Sequence, residues 1–153
     1  MLDLTQVMAG PYCAMLLADM GARVIKVEPP RGDSTRHMAG ATGHESAAFN
    51  AVNRGKLGVV LDLRRDDARA AFRRLASTAD ILVENFRPGV MAKLGLDYRA
   101  LTVENPHLIY ASISGYGQTG PYANMVGHDI NYISVGGSLS VIGRPGQKPA
   151  IPQ

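Results

Sequence analysis

A single cysteine, Cys13, occurs in this chain of 153 residues, so no disulfide framework can form within it and no thiolate cluster can hold a metal. Set in the apolar run Cys13-Ala14-Met15-Leu16-Leu17, it reads as a small core residue. Long apolar runs are missing as well. Nothing approaches the roughly 20 residues that span a bilayer, and no charged segment followed by an apolar one opens the chain. The expected setting is the cytoplasm, with no membrane partner. Charge of one sign is also scarce: 16 Lys and Arg against 13 Asp and Glu leave +3, scattered along the sequence. A solvated surface accounts for that balance and a polyanionic small ligand would suit it, but without a basic stripe interleaved with aromatics no nucleic acid is expected.

Several signatures of chemistry are absent too. There is no GxxxxGK[ST] loop, and His37, His44, His107 and His128 show no spacing of ligands on one helix, so no metal is expected. Ser114 lies in Ser-Gly-Tyr-Gly, not in the G-x-S-x-G of a nucleophile elbow. Gly115-Tyr116-Gly117-Gln118-Thr119-Gly120 matches the dinucleotide fingerprint letter for letter. The context fails, because Pro121-Tyr122-Ala123-Asn124-Met125 stands where a helix should begin and no acidic residue closes a later strand. Tight turns explain these glycines better.

What is present is an alternation of periods. Strand patterns fall at residues 2–4, 23–28, 58–63, 80–84 and 107–113. Helical patterns fall at 12–20, 45–52 and 66–76, with shorter pieces up to Glu104. Pro11 suits a first helical turn and Gly21 a helix end, while Pro29-Pro30 breaks the second strand and opens a polar loop to about His44. Strands joined by helical crossovers predict an α/β fold, a Rossmann-like, mostly parallel sheet with helices on both faces. With 46% hydrophobic residues the chain can bury one core, so residues 1–153 are expected to be a single domain. Both ends read as cut: the chain opens inside the strand-like Met1-Leu2-Asp3-Leu4 and closes on Pro152-Gln153 without an element. The expectation is therefore the N-terminal part of a larger domain.

In open parallel sheets ligands sit beyond the carboxyl ends of the strands, which singles out the loops at 5–10, 28–36, 85–89 and 114–120. Arg31, Arg36, Arg54, Lys56 and Arg87 lie in or beside such loops and can meet phosphates by charge-assisted hydrogen bonds. Each alone also fits a solvated surface charge. Arg87 stands out, since Asn85-Phe86-Arg87-Pro88-Gly89 directly follows a buried-looking strand. The run Gly127-His128-Asp129-Ile130-Asn131-Tyr132 then sets an imidazole beside a carboxylate at an expected helix start, where free amide donors and positive potential collect. The histidine can take and return a proton; the aspartate can act as base or nucleophile, or serve only as an acidic first-turn residue.

Ordered motifs along the whole chain resemble one known family. They are Leu2-Asp-Leu-Thr-Gln6, Ala9-Gly-Pro-Tyr-Cys-Ala-Met-Leu-Leu-Ala-Asp-Met-Gly-Ala22, Val24-Ile-Lys-Val-Glu28, Asn53-Arg-Gly-Lys56, Val83-Glu-Asn-Phe-Arg-Pro-Gly89, Leu94-Gly-Leu-Asp-Tyr98 and Ser114-Gly-Tyr-Gly-Gln-Thr-Gly-Pro-Tyr122. Together they are similar to the family III CoA-transferases, which include carnitine and bile-acid CoA-transferases and α-methylacyl-CoA racemase. The resemblance implies an acyl-CoA substrate bound on a Rossmann-like large domain, with no cofactor beyond the coenzyme A that the substrate carries. It also implies a second, small domain and an interlocked homodimer. Coenzyme contacts are then expected at Arg31, Arg36, Lys56, Asn85, Arg87, Gly115, Tyr116 and Gly117. The segment from Gly127 to Tyr132, with Gly143-Arg-Pro-Gly146 and Pro149, looks most like the racemase branch, whose proton-shuttling histidine aligns with His128. In the transferase branch the nucleophilic aspartate aligns with Asp129. The racemase branch adds a partner aspartate further along the chain than Gln153.

Overall fold

The computed structural model describes residues 1–38 and 45–151, so His44 and the end of the polar loop before it lie outside the described residues. The chain forms two compact units, Met1–Ile113 and Ser114–Gln153.

The first unit is a five-stranded parallel sheet in the order β3-β2-β1-β4-β5. Its strands are β1 (Leu2–Asp3), β2 (Ile25–Glu28), β3 (Leu57–Val60), β4 (Ile81–Glu84) and β5 (Ile109–Ser112). Chain order reverses direction between β1 and β4, which makes that crevice the switch point of the sheet. Leu2 pairs with both Ile25 and Leu82, and Asp3 with Lys26 and Val83, so β1 is central although only two residues long.

Alternation along the strands sends neighbours to opposite faces. On one face Leu2, Leu4, Val27 and Leu82 pack with Phe72 and Ala76 of helix α3 (Asp66–Ala76), Met91 of α4 (Val90–Lys93) and Leu101 of α5 (Tyr98–Thr102). On the other, Val24 and Val83 pack with Ala14 of α1 (Ala9–Asp19). A short helix, α2 (Ala47–Asn53), completes this layer, with Ser46 as its N-cap accepting from the Phe49 amide at 3.0 Å. The sheet therefore carries helices on both faces. Helix α3 spans the residues its periodicity marks, with Asp66 and Asp67 in the first turn and Arg73 and Arg74 in the last, complementing the helix dipole.

Two expectations need correction. Cys13 is exposed, because the inward stripe of α1 runs through Gly10, Pro11, Ala14 and Met15 and turns Cys13 away. β3 ends at Val60 and not at residue 63. Its one neighbour among the described residues, β2, stops at Glu28 before Pro29, which has no amide to continue the ladder. As an edge strand it leaves Val60 62% exposed, unlike a buried strand. Gly21 does end α1, at φ +97°.

In the second unit, helix α6 (Asp129–Val135) is followed by a short 3-10 turn at Ser138–Val141. None of the described residues of this unit is buried.

Candidate functional site

Just past the carboxyl ends of β1 to β4 lies a cleft of about 170 Å³. Leu4, Val27, Leu61, Leu63, Phe86 and Leu94 supply most of its apolar surface, and Gln6, Glu28, Asp62 and Arg64 its polar one. The position is the one expected of a ligand site in an open parallel sheet.

Behind the cleft the sheet carries a buried ionic network, which the residue pattern did not reveal. Lys26 and Asp33 pair at 3.0 Å, with their side chains 3% and 0% exposed. Lys26 also donates to the Thr5 carbonyl at 2.8 Å. One Asp33 oxygen accepts from the Thr35 amide at 2.9 Å and from the Thr35 hydroxyl at 2.7 Å. Burial alone would raise the Asp33 pKa, but the two Thr35 donors and the Lys26 ammonium outweigh it and hold the carboxyl below its ordinary range. Glu28 follows the same logic. Burial opposes its charge, while Arg36, the Asp33 amide and Lys26 favour it, and the net direction is down.

Lys56 and Arg36, expected to meet ligand phosphates, are turned into this network. The Lys56 ammonium donates to Asp3 Oδ2 at 2.8 Å, the Pro11 carbonyl at 2.8 Å and Asn53 Oδ1 at 2.9 Å. An ammonium has three hydrogens, so none is left over. Burial pushes its pKa below the usual lysine value, with the Asp3 carboxylate opposing. Arg36 holds Glu28 through two nitrogens, at 2.8 and 2.7 Å, and Glu45 through a third, at 2.8 Å. Its guanidinium also lies 3.7 Å from the Phe49 ring centre, and the Glu28 hydrogen bonds raise its pKa further above the arginine value. Asn85 is likewise engaged, with the Gln6 backbone. Arg31 and Arg87 are exposed, and neither side chain has an ion-pair or hydrogen-bond partner among the described residues. Of the four cations expected to meet the coenzyme, these two remain open to an anionic ligand.

The second unit brings Gly115, Tyr116 and the residues around His128 together. The Tyr132 hydroxyl donates to the Gly127 carbonyl. Its ring meets that of Tyr116 edge-on, 5.1 Å between centres, and Tyr116 meets Tyr122 the same way at 5.8 Å. A methyl group at Gly115 would overlap the Tyr132 ring, which explains the glycine there. Gly117 is a turn residue at φ +86°. His128 is the N-cap of α6, its amide donating to Asn131 Oδ1 at 2.9 Å, and Asp129 is the first helical residue. Both side chains are exposed. Tyr132 and Asn131 were not foreseen as site residues. Their place in the same Gly127-to-Tyr132 run, one helical turn after His128, was the available signal.

Sheet order and helices on both faces define a Rossmann-like α/β protein. The model of CoA-transferase family III matches residues 1–153, and the chain belongs to that family. It is 46% identical to a succinate–glutarate CoA-transferase of Agrobacterium fabrum, over 97% of this chain and 39% of that protein. It is 45% identical to the α-methylacyl-CoA racemase of Homo sapiens, over 98% of this chain and 36% of that one. A crystal structure of a CAIB/BAIF family protein from Brucella suis superimposes with a TM-score of 0.90 at 41% identity, covering 98% of this chain and 41% of that chain. The chain thus spans about two fifths of the length of these relatives. No helix among the described residues is long and apolar enough to cross a membrane.

Proposed function

We propose that this chain is the coenzyme-binding part of an enzyme acting on acyl-CoA thioesters, with no cofactor beyond the coenzyme A of its substrate. The apolar cleft at the sheet switch point takes the coenzyme, while Arg31 and Arg87 meet its phosphates by charge-assisted hydrogen bonds. Within the family we favour epimerisation of a 2-methylacyl-CoA. The observation that carries this reading is His128, an exposed imidazole whose backbone amide is fixed by Asn131 at the start of α6, with Asp129 next to it. The thioester acidifies the 2-carbon. His128 takes its proton on one face, the electron pair moves to the thioester oxygen, and reprotonation from the other face completes inversion. A second acid on the opposite face of the 2-carbon donates the returning proton.

One observation favours a second reading. Asp129 is exposed in the first helical turn, and a relative of equal similarity is a transferase. In that chemistry Asp129 attacks the acyl-CoA carbonyl and expels CoA thiolate. The thiolate attacks the aspartyl carbonyl of the resulting anhydride and releases the first acid as its carboxylate; an acceptor carboxylate then attacks the enzyme-bound thioester, and the expelled thiolate takes the acceptor acyl group from that second anhydride, freeing Asp129.

A single-epimer 2-methylacyl-CoA in deuterated water, with and without an acceptor acid, separates the two. The assay uses this chain and a version continued to family length. Epimerisation with deuterium uptake and no acceptor, abolished in His128→Ala, supports the first reading. CoA transfer to the acceptor, abolished in Asp129→Asn and kept in His128→Ala, replaces it with the second.

A further inference from the structure

Between β1 and α1 the backbone makes a turn at Thr5, Gln6 and Val7, and Val7 has φ +73°, the one described residue other than glycine at positive φ. For a β-branched side chain that is a true outlier. Conformations of this kind persist only where surrounding structure over-determines them. Here side chains from three separate places grip three consecutive residues. The Lys26 ammonium binds the Thr5 carbonyl at 2.8 Å. The Asn85 amide takes both polar groups of Gln6, accepting from its N–H at 2.9 Å and donating to its carbonyl at 2.8 Å. Asp33 Oδ1 accepts from the Val7 amide, at a longer 3.4 Å. Lys26 and Asp33 are themselves a buried pair, so their two grips move as one. Gln6 in turn forms part of the cleft wall.

We propose that Asn85, with the Lys26–Asp33 pair, is a positioning residue that holds Val7 in its left-handed conformation and thereby fixes Gln6 on the wall of the acyl-CoA cleft. The binding half of this inference rests on the function proposed above. Asn85 then serves the ligand through the turn and not by touching it, which is a different role from the direct contact expected of the sequence.

A double-mutant cycle of Asn85→Ala and Val7→Gly tests it, read by coenzyme A titration in a calorimeter and by thermal unfolding. Strain of this size converts to a population change of about tenfold or more, so Asn85→Ala should weaken coenzyme A binding by about that factor. Adding Val7→Gly should restore most of the loss, because glycine occupies the left-handed region freely. In unfolding, Val7→Gly should raise the midpoint more in the parent than in Asn85→Ala, where the turn has already relaxed. Asn85→Asp, of the same size, keeps the acceptor for the Gln6 amide and sets an oxygen against its carbonyl; it stands in if the alanine variant does not fold. Additive midpoints overturn the proposal, as does failure of glycine to rescue binding. A parent chain that binds no coenzyme A defeats the functional reading alone, and the midpoints still decide the clamp.

Discussion

Replacing Lys56 by Met separates a phosphate-binding lysine from an internal strut. The Lys56 and Asp3 side chains are 2% and 0% exposed, and removing the ammonium leaves an Asp3 oxygen, the Pro11 carbonyl and Asn53 Oδ1 without their donor. Breaking a buried pair in this way costs about 3–5 kcal/mol. Two features place the value at the lower end, about 3 kcal/mol: burial already disfavours the Lys56 charge, and methionine keeps most of the apolar stem. In a chain of this length that lowers the unfolding midpoint by about 6–12 °C, a large share of a total stability of about 5–15 kcal/mol. The measurement is thermal unfolding at neutral pH followed by far-UV circular dichroism, with coenzyme A affinity measured below the midpoint. Adding Asp3→Asn should recover part of the loss, because the orphaned charge is then gone. An unchanged midpoint with abolished coenzyme A binding would falsify the reasoning, since Lys56 would then be reaching the ligand.

Acid should destabilise the first unit through Glu28 and Asp33. Both have folded pKa values below their unfolded ones, so their contribution is full above about pH 5 and lost as pH falls through the folded values. Urea midpoints at pH 7 and pH 3 should therefore differ less in Asp33→Asn than in the parent. Gly115→Ala inserts a methyl into the Tyr132 ring and should cost about 1–3 kcal/mol of local packing. The readout is the Tyr132 and Tyr116 ring resonances, and unchanged shifts would remove the steric argument. Cys13, exposed on α1, should react fully with an aromatic disulfide reagent in the native state; protection until denaturant is added would mean that this face is covered in solution.

The parallel α/β architecture was legible because its signal is repeated. β4 opens with the apolar run Ile81-Leu82-Val83, β2 sets Ile25 and Val27 around a lysine, and α3 states its period through Ala68, Ala71, Phe72 and Leu75. Side-chain direction at single positions was not. Whether Cys13 faces the core depends on a one-residue phase in a helix that is apolar nearly all round. Lys56 and Arg36 illustrate the same limit. A cation near a ligand-bearing loop looks identical in sequence whether it points outward or pairs with a carboxylate, be it Asp3, 53 positions from Lys56, or Glu28, 8 positions from Arg36. Asn85 and Gln6, 79 positions apart, meet only because β1 and β4 are neighbours in the sheet.

The two ends of the proposed chemistry are held by different physics. At the cleft, a buried network of Asp3, Lys26, Asp33 and Lys56 fixes the β1 turn, and buried groups held by opposite charges have few alternative arrangements. This rigidity suits a surface that must present Gln6 and Phe86 to a ligand in one geometry. Among the described residues of the second unit no buried side chain does the same work around His128; the imidazole is placed by the Asn131 cap, the Tyr132 hydrogen bond to Gly127 and two edge-on tyrosine contacts. The proposed base, held by so few local bonds, is sensitive to each of them. Substitutions at Asn131, Tyr132 or Gly115 therefore bear on the chemical step while leaving the core around Phe72 and Leu82 untouched, and substitutions at Lys56 or Asp33 do the reverse.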